Sequence, residues 1–116
     1  MNKRYTGSFY EDKAVSYLKS HGFQILKRNY RCKIGEIDIV AFKDNILRFI
    51  EVKYRTDLNY GYSLQAVSKK KQWKIMRAAQ WYMTENNFGD NRECSFDVIA
   101  IQGNNIQYIF NGYGAI

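Results

Sequence analysis

Two runs of β-branched residues constrain this chain most. Residues 37–41 (IDIVA) and 46–52 (ILRFIEV) flank Lys43-Asp44-Asn45, which is turn chemistry, so the spacing predicts a β-hairpin. With Asp44 and Asn45 as the two loop residues, Lys43 faces Ile46. Counting back along both strands puts Asp38 opposite Glu51 and Glu36 opposite Lys53. Side chains alternate along a strand, so these four are expected on one face. The other face carries Ile37, Ile39, Ile50 and Val52, a core pattern. The charged face also carries Val40, Leu47 and Phe49 nearer the turn. Its charges thus occupy one end of a strand pair that is otherwise apolar on both sides, whereas a solvent-facing strand is polar along its length.

Opposed carboxylates repel, at about 0.2–1 kcal/mol in a sheet and more when buried. A divalent cation removes the conflict, since Mg²⁺ takes hard oxygen ligands and needs only one or two carboxylates beside water and phosphate. Lys53, two residues from Glu51, would then orient or deprotonate an attacking water, or stabilise charge on a phosphate. The plainer alternative is a salt-bridged patch in which Lys53 offsets Glu51 and Glu36.

Around the hairpin the periodicity predicts a helix over Ser8–Ser20, capped by Ser8, with Glu11 completing a capping box and Gly22 ending it. A strand over Phe23–Tyr30 is expected to turn Phe23, Ile25 and Lys27 to one side. A loop from Arg55 to Ser63 leads to a second helix, Gln65–Asn86, with Val67, Ile75, Ala78, Ala79 and Tyr82 as its buried stripe. Ser95–Ile101 and Ile106–Phe110 form the last two strands around Gly103-Asn104-Asn105. The sequence has no proline, low-complexity run or repeat, so residues 1–116 are read as a single domain. The order is α-β-β-β-α-β-β, an α/β domain with a central mixed sheet whose second helix can serve as a crossover.

Composition narrows the chemistry. Eighteen Lys and Arg against eleven Asp and Glu give a net charge of +7, which favours a polyanionic partner. Cys32 and Cys94 are too few and too far apart for a disulfide framework or a zinc site, and are expected to be free, partly buried thiols. His21, the only histidine, falls at a helix end, which excludes Ser–His and Cys–His chemistry. No apolar run approaches a membrane span and the N-terminus lacks a secretory h-region, so a soluble, cytoplasmic protein is expected.

Several charges fall on helical stripes. Glu11 lies on the stripe of Ala14, Val15 and Leu18, which turns it towards the sheet, as a capping residue or as a metal ligand. Lys71 interrupts the buried stripe of the second helix, reaching a phosphate or a site carboxylate, or snorkelling at the helix edge. Lys69, Lys70, Lys74 and Arg77 extend a basic surface. Lysines at a helix start oppose its macrodipole, whereas phosphate binding accounts for them, as does a solvated face. Tyr54, Tyr60, Tyr62 and Trp73 lie beside Arg55 and the lysines, an interleaving that suits base stacking or loop packing.

Gly35-Glu36-Ile37-Asp38-Ile39-Val40-Ala41, then Phe49-Ile50-Glu51-Val52-Lys53-Tyr54-Arg55, then Val67 with Lys71, and finally Phe96-Asp97-Val98-Ile99-Ala100 together resemble the YraN-like family of small bacterial proteins. That family is similar to the PD-(D/E)xK nuclease superfamily and to its Holliday junction resolvases. The resemblance implies a restriction-endonuclease-like core with Asp38, Glu51 and Lys53 as motif residues, and Glu11 as the helical acid that completes the metal site. A backbone carbonyl near Val52 would join the ligands. It also implies Mg²⁺ or Mn²⁺, phosphodiester hydrolysis in DNA, binding through Lys69, Lys70, Lys71, Lys74 and Arg55, and a homodimer on branched or single-stranded DNA. Ile37 stands where the superfamily motif has proline, and Tyr10 where the family often has glycine. The competing expectation is a nucleic-acid-binding accessory protein without catalysis.

Overall fold

The hairpin turns on two residues in the left-handed region, Asp44 (φ 54°) and Asn45 (φ 63°), as a tight two-residue connection requires. The computed structural model describes residues 3–55, 68–89 and 92–112. Its elements run α1 (Lys3–Ser20), β1 (Gln24–Arg31), β2 (Glu36–Lys43), β3 (Ile46–Arg55), α2 (Lys69–Glu85), β4 (Cys94–Gln102) and β5 (Asn105–Ile109). The five strands form one sheet in chain order. Every neighbouring pair is antiparallel except β3 and β4, which run parallel from Leu47↔Cys94 to Arg55↔Gln102. A parallel pair needs a crossover, and α2 supplies it. The expected order and mixed sheet are therefore observed.

Each helix covers one face. Ala14, Val15 and Leu18 of α1 pack on Ile39, Ala41, Ile50, Ile99 and Ile101. Ile75, Ala78, Ala79 and Tyr82 of α2 pack on Val40, Leu47, Phe49, Phe96 and Val98. The apolar residues on the hairpin's charged face are thus buried under α2, and β4 is buried at every residue from Ser95 to Ile101. Both cysteines are free and half-buried. Among the described residues no helix is long and apolar enough to cross a membrane.

Helix boundaries depart from expectation at their starts. α1 begins at Lys3, so Ser8 lies inside the helix and neither it nor Glu11 forms a capping box. Between Lys3 and Ser8 the least favourable residue is Gly7, at about 1 kcal/mol relative to Ala, and the helix runs through it. α2 begins at Lys69 rather than Gln65, because Ser68 has extended backbone (ψ 158°) and its hydroxyl accepts the Lys71 N–H; Val67 lies outside the described residues. In β1 the register shifts between Ile25 and Lys27. This bulge leaves Lys27 exposed rather than beside Phe23 and Ile25.

The end of α1 is as expected. Gly22 has φ +87°, its N–H bonds Lys19 O (3.2 Å), and the Phe23 N–H bonds Leu18 O (3.0 Å). That is a Schellman closure, with Phe23 and Leu18 both in the α1-side core. His21 stacks on Tyr17 with ring centroids 4.0 Å apart, a helix-end role.

Asp97, fully buried, ties β4 to the C-terminal strand. Its carboxylate accepts the hydroxyls of Ser95 and Tyr108 and the Asn111 N–H, and Arg48 stands 3.6 Å away. Burial, then the hydrogen bond to Asp97 and that carboxylate's charge, push the Tyr108 hydroxyl pKa well up.

A methyl group at residue 22 would be forced into a conformation that L side chains rarely adopt. Gly22→Ala is therefore expected to cost about 1–2 kcal/mol, read as a lower denaturation midpoint at unchanged m-value; an unchanged midpoint would contradict this account of the helix end.

Candidate functional site

Antiparallel pairing between β2 and β3 stops at Ile39↔Ile50. Yet β2 keeps β1 as a neighbour to Glu36, and β3 keeps β4 to Arg55. The sheet therefore forks. Past the fork the main-chain donors of β3 that face β2 have no strand to bond, and a buried unpaired donor costs about 1–3 kcal/mol. Asp38 meets one of them: its Oδ2 accepts the Val52 N–H at 2.8 Å.

Alternation breaks at the same level. Ile37 joins the α2-side core with Tyr30, whereas Ile39 joins the α1-side core. In β1 the change falls at Asn29, φ +52°, between Arg28, which reaches α1, and Tyr30. Hence Ile37 does not share a face with Ile39. The expected ladder pairs Asp38–Glu51 and Glu36–Lys53 are not formed either. Glu36 is exposed and pairs instead with Arg31 at 3.3 Å. The counting fails because it assumed that a ladder regular at the turn stays regular to its end.

The site acids nevertheless lie near one another. Glu51 is 6% exposed, held by Lys71 Nζ at 2.6 Å with Lys53 Nζ at 3.9 Å. Asp38 is half-buried, and its carboxyl pKa is pushed up to about 7. Burial is the main cause and the charge of Glu51 the next, opposed by the Val52 N–H and Lys71, with Glu11 adding to the rise. For Lys71, burial works to lower the pKa, but its hydrogen bond to Glu51 and the charges of Glu51 and Asp38 raise it overall. The expected inward reach of Lys71 towards a site carboxylate is thus observed.

Glu11 comes from the opposite side. Only 9% exposed, it accepts Arg28 Nε at 2.9 Å and Asn29 Nδ2 at 3.0 Å, and Arg28 also pairs with Asp12. Glu11, Arg28, Arg31, Asp38, Val52 and Tyr54 line an open cleft of about 700 Å³. Tyr54 at its rim stacks on Tyr10, centroids 4.3 Å apart. A second groove of about 390 Å³ lies between the β1–β2 connection and α2, lined by Arg31, Lys33, Glu36, Lys71 and Lys74. Gly35 lets these elements meet, since a Cβ there would stand 3.3 Å from Lys74 Cβ. Lys69 and Lys70 are exposed on α2; the Arg55 side chain, Tyr60 and Tyr62 lie outside the described residues.

Arg28 and Asn29 belong to the site and escaped the sequence reading. The bulge in β1 hides them from any simple alternation; an asparagine able to adopt positive φ, next to an arginine, was the only local sign. Among the described residues no three Asp, Glu, His or Cys side chains converge as a ready-made metal cage. The donor chemistry still fits a hard divalent cation, which needs only one or two carboxylates: Asp38 is disfavoured as an anion by burial and by Glu51, and Glu51 already draws two lysines.

Fold and site define a three-layer α/β protein whose mixed sheet opens at an acidic, lysine-flanked fork. The chain belongs to the family described as "Uncharacterised protein family UPF0102", whose model matches residues 10–101. It is 44% identical over 113 residues to a UPF0102 protein of Sulfurihydrogenibium sp. (strain YO3AOP1), covering 97% of each chain. To one of Lachnoclostridium phytofermentans it is 42% identical over 115 residues, covering 99% of this chain and 98% of that one. A Clostridioides difficile (strain 630) relative is 43% identical over 115 residues, covering 97% of this chain and all of its own.

Because the folded state raises the Asp38 pKa above its unfolded value, ionising that carboxyl costs folding stability. The stability is present below the unfolded pKa and is lost as pH rises to about 7. Asp38→Asn keeps an acceptor for the Val52 N–H without the charge. Thermal melts in chelator are expected to show the variant about 3–6 °C more stable near pH ~8, an advantage that shrinks towards pH ~4. A variant less stable at every pH would mean that the carboxylate's hydrogen bond outweighs its charge conflict.

Proposed function

We propose that this chain is a metal-dependent phosphodiesterase acting on nucleic acid, with DNA the favoured substrate. The observation that carries the reading is the juxtaposition of Asp38 and Glu51 at the fork, the first disfavoured as an anion by burial and by the charge of the second, with Lys53 and Lys71 reaching the second. Structural carboxylates are ordinarily paired with cations and hydrogen-bond donors rather than with each other, and perturbed acids in a cleft mark working sites.

Asp38 and Glu51 are the residues that would hold Mg²⁺ or Mn²⁺, with the main chain near Val52 and with Glu11 once Arg28 and Asn29 release it. The bound ion would supply Lewis-acid polarisation of the phosphoryl oxygen and a more acidic water. The chain's own part is positioning. Lys53, 3.9 Å from Glu51, would orient the attacking water and stabilise charge on the phosphorane as the P–O bond to the leaving group breaks. Lys71 fixes the Glu51 carboxylate and would share it with a bound cation. Arg28 and Arg31 on the cleft wall meet the phosphates that flank the scissile one.

One observation favours a second reading, a nucleic-acid-binding protein without catalysis. Glu51 and Glu11 already carry cationic partners at hydrogen-bond distance, which a purely structural network would also show.

Cleavage of end-labelled four-way junction, flap, single-stranded and duplex DNA with Mg²⁺, Mn²⁺ or EDTA decides between them. Metal-dependent cutting is expected, reduced at least about 100-fold by Asp38→Asn and by Glu51→Gln, and about 100- to 1,000-fold by Lys53→Ala. Binding that persists in EDTA with no cutting of any substrate would remove the enzyme and leave the binding protein.

A further inference from the structure

The outer side of α2 is unlike an ordinary solvated helix face. Its sequence, KKKQWKIMRAAQWYMTE, carries five basic residues and a single acid at its last position, Glu85. Trp73 is 55% exposed and Trp81 48%, although large aromatics are seldom left so open. They stand eight residues apart with Arg77 midway, so the three form one ridge about 12 Å long. The Arg77 guanidinium lies over the Trp73 ring, 5.7 Å from its centroid, and bonds Gln80. A hollow of about 230 Å³ opens between Arg77, Gln80, Trp81 and Thr84. Among the described residues, Lys69, Lys70, Lys74 and Arg77 have no carboxylate partner; only Lys71, turned inwards, has one.

We propose that this ridge is a track for single-stranded nucleic acid, with unpaired bases stacking on Trp73 and Trp81 and phosphates meeting Lys70, Lys74 and Arg77. The inference rests on the reading that the partner is nucleic acid, and adds that part of it is unpaired. An indole stacks on a base only where the base face is free, which a duplex denies it. The track leads to the candidate site: Lys74 also lines the basic groove beside Lys71, and Lys71 bonds Glu51. Two copies facing each other through this ridge would oppose like charges without acids to offset them. A helix lying on a membrane buries its apolar face there, whereas here Ile75, Ala78, Ala79 and Tyr82 are committed to the core.

Trp73 and Trp81 are the only tryptophans in the chain, so tryptophan emission, excited at the red edge where tyrosine does not absorb, reports this ridge alone. The full-length Asp38→Asn variant in EDTA, which cannot cut, would be titrated with oligothymidylate of about 15 nucleotides, with a duplex of equal length and with anionic phosphatidylserine vesicles. Oligothymidylate is expected to quench the emission and to bind more tightly than duplex. Trp73→Ala and Trp81→Ala should each weaken it about tenfold, with phenylalanine at either position restoring most of the loss. Arg77→Gln should lower the slope of log K against log salt by about 0.7. Equal affinity for duplex, no quenching, or alanine variants that bind as before would each overturn the track. So would a response to vesicles alone, or a dimer that the alanine variants dissociate. Cutting by wild type with normal binding by the tryptophan variants would sink the track and spare the acidic site. Stacking without cutting by wild type would do the reverse.

Discussion

Where β2 and β3 part, the main chain must find an acceptor for the Val52 N–H, and the acceptor is the Asp38 carboxylate. That bond fixes an acidic group at the place where β2 and β3 stop covering each other. It also sets Asp38 near Glu51, so the fork and the charge conflict share one origin. A regular ladder would have sent the Val52 N–H to a carbonyl and left no room for a cleft reaching to Glu11. The lysines then follow from electrostatics: a nearly buried Glu51 requires a cation, and α2 presents Lys71 to it.

Two aspartates in the same sheet show how environment separates structure from reactivity. Asp97 accepts three hydrogen bonds and has Arg48 within 3.6 Å. Its oxygens are saturated, and nothing further can bind them without loss. Asp38 has one such bond among the described residues and faces acids as well as bases. Both lie in motifs that the resemblance singled out, and residue type alone does not tell them apart.

The sequence made legible whatever depends on short-range geometry. Asp44-Asn45 specified the turn, and with it the register as far as Ile39↔Ile50. Gly22 announced the end of α1, and the apolar stripes announced which helix faces are buried. Lys71 declared itself as a charge on a buried stripe. What stayed hidden depends on irregularity. The bulge after Ile25 and the positive φ of Asn29 bring Arg28 to Glu11, and the fork breaks the pairing of Asp38 with Glu51; neither has a periodic signature. The capping box at Ser8 was misread because a local pattern also fits the interior of a longer helix, where Glu11 is held from β1 instead.

The parallel pairing of β3 with β4 carries a consequence for how the site comes into being. β1, β2 and β3 form a meander of neighbours in sequence, closed by short turns. β4 meets β3 only after the chain has passed through the whole of α2, and closing so long a loop slows the step that requires it. During synthesis the meander is complete while the edge of β3 still waits for its last neighbour. Asp38, Glu51 and Lys53 all lie on strands of that meander, whereas Lys71 lies on the segment that must arrive before β3 is covered. The acids of the centre therefore come together before the lysine that holds Glu51 is in place.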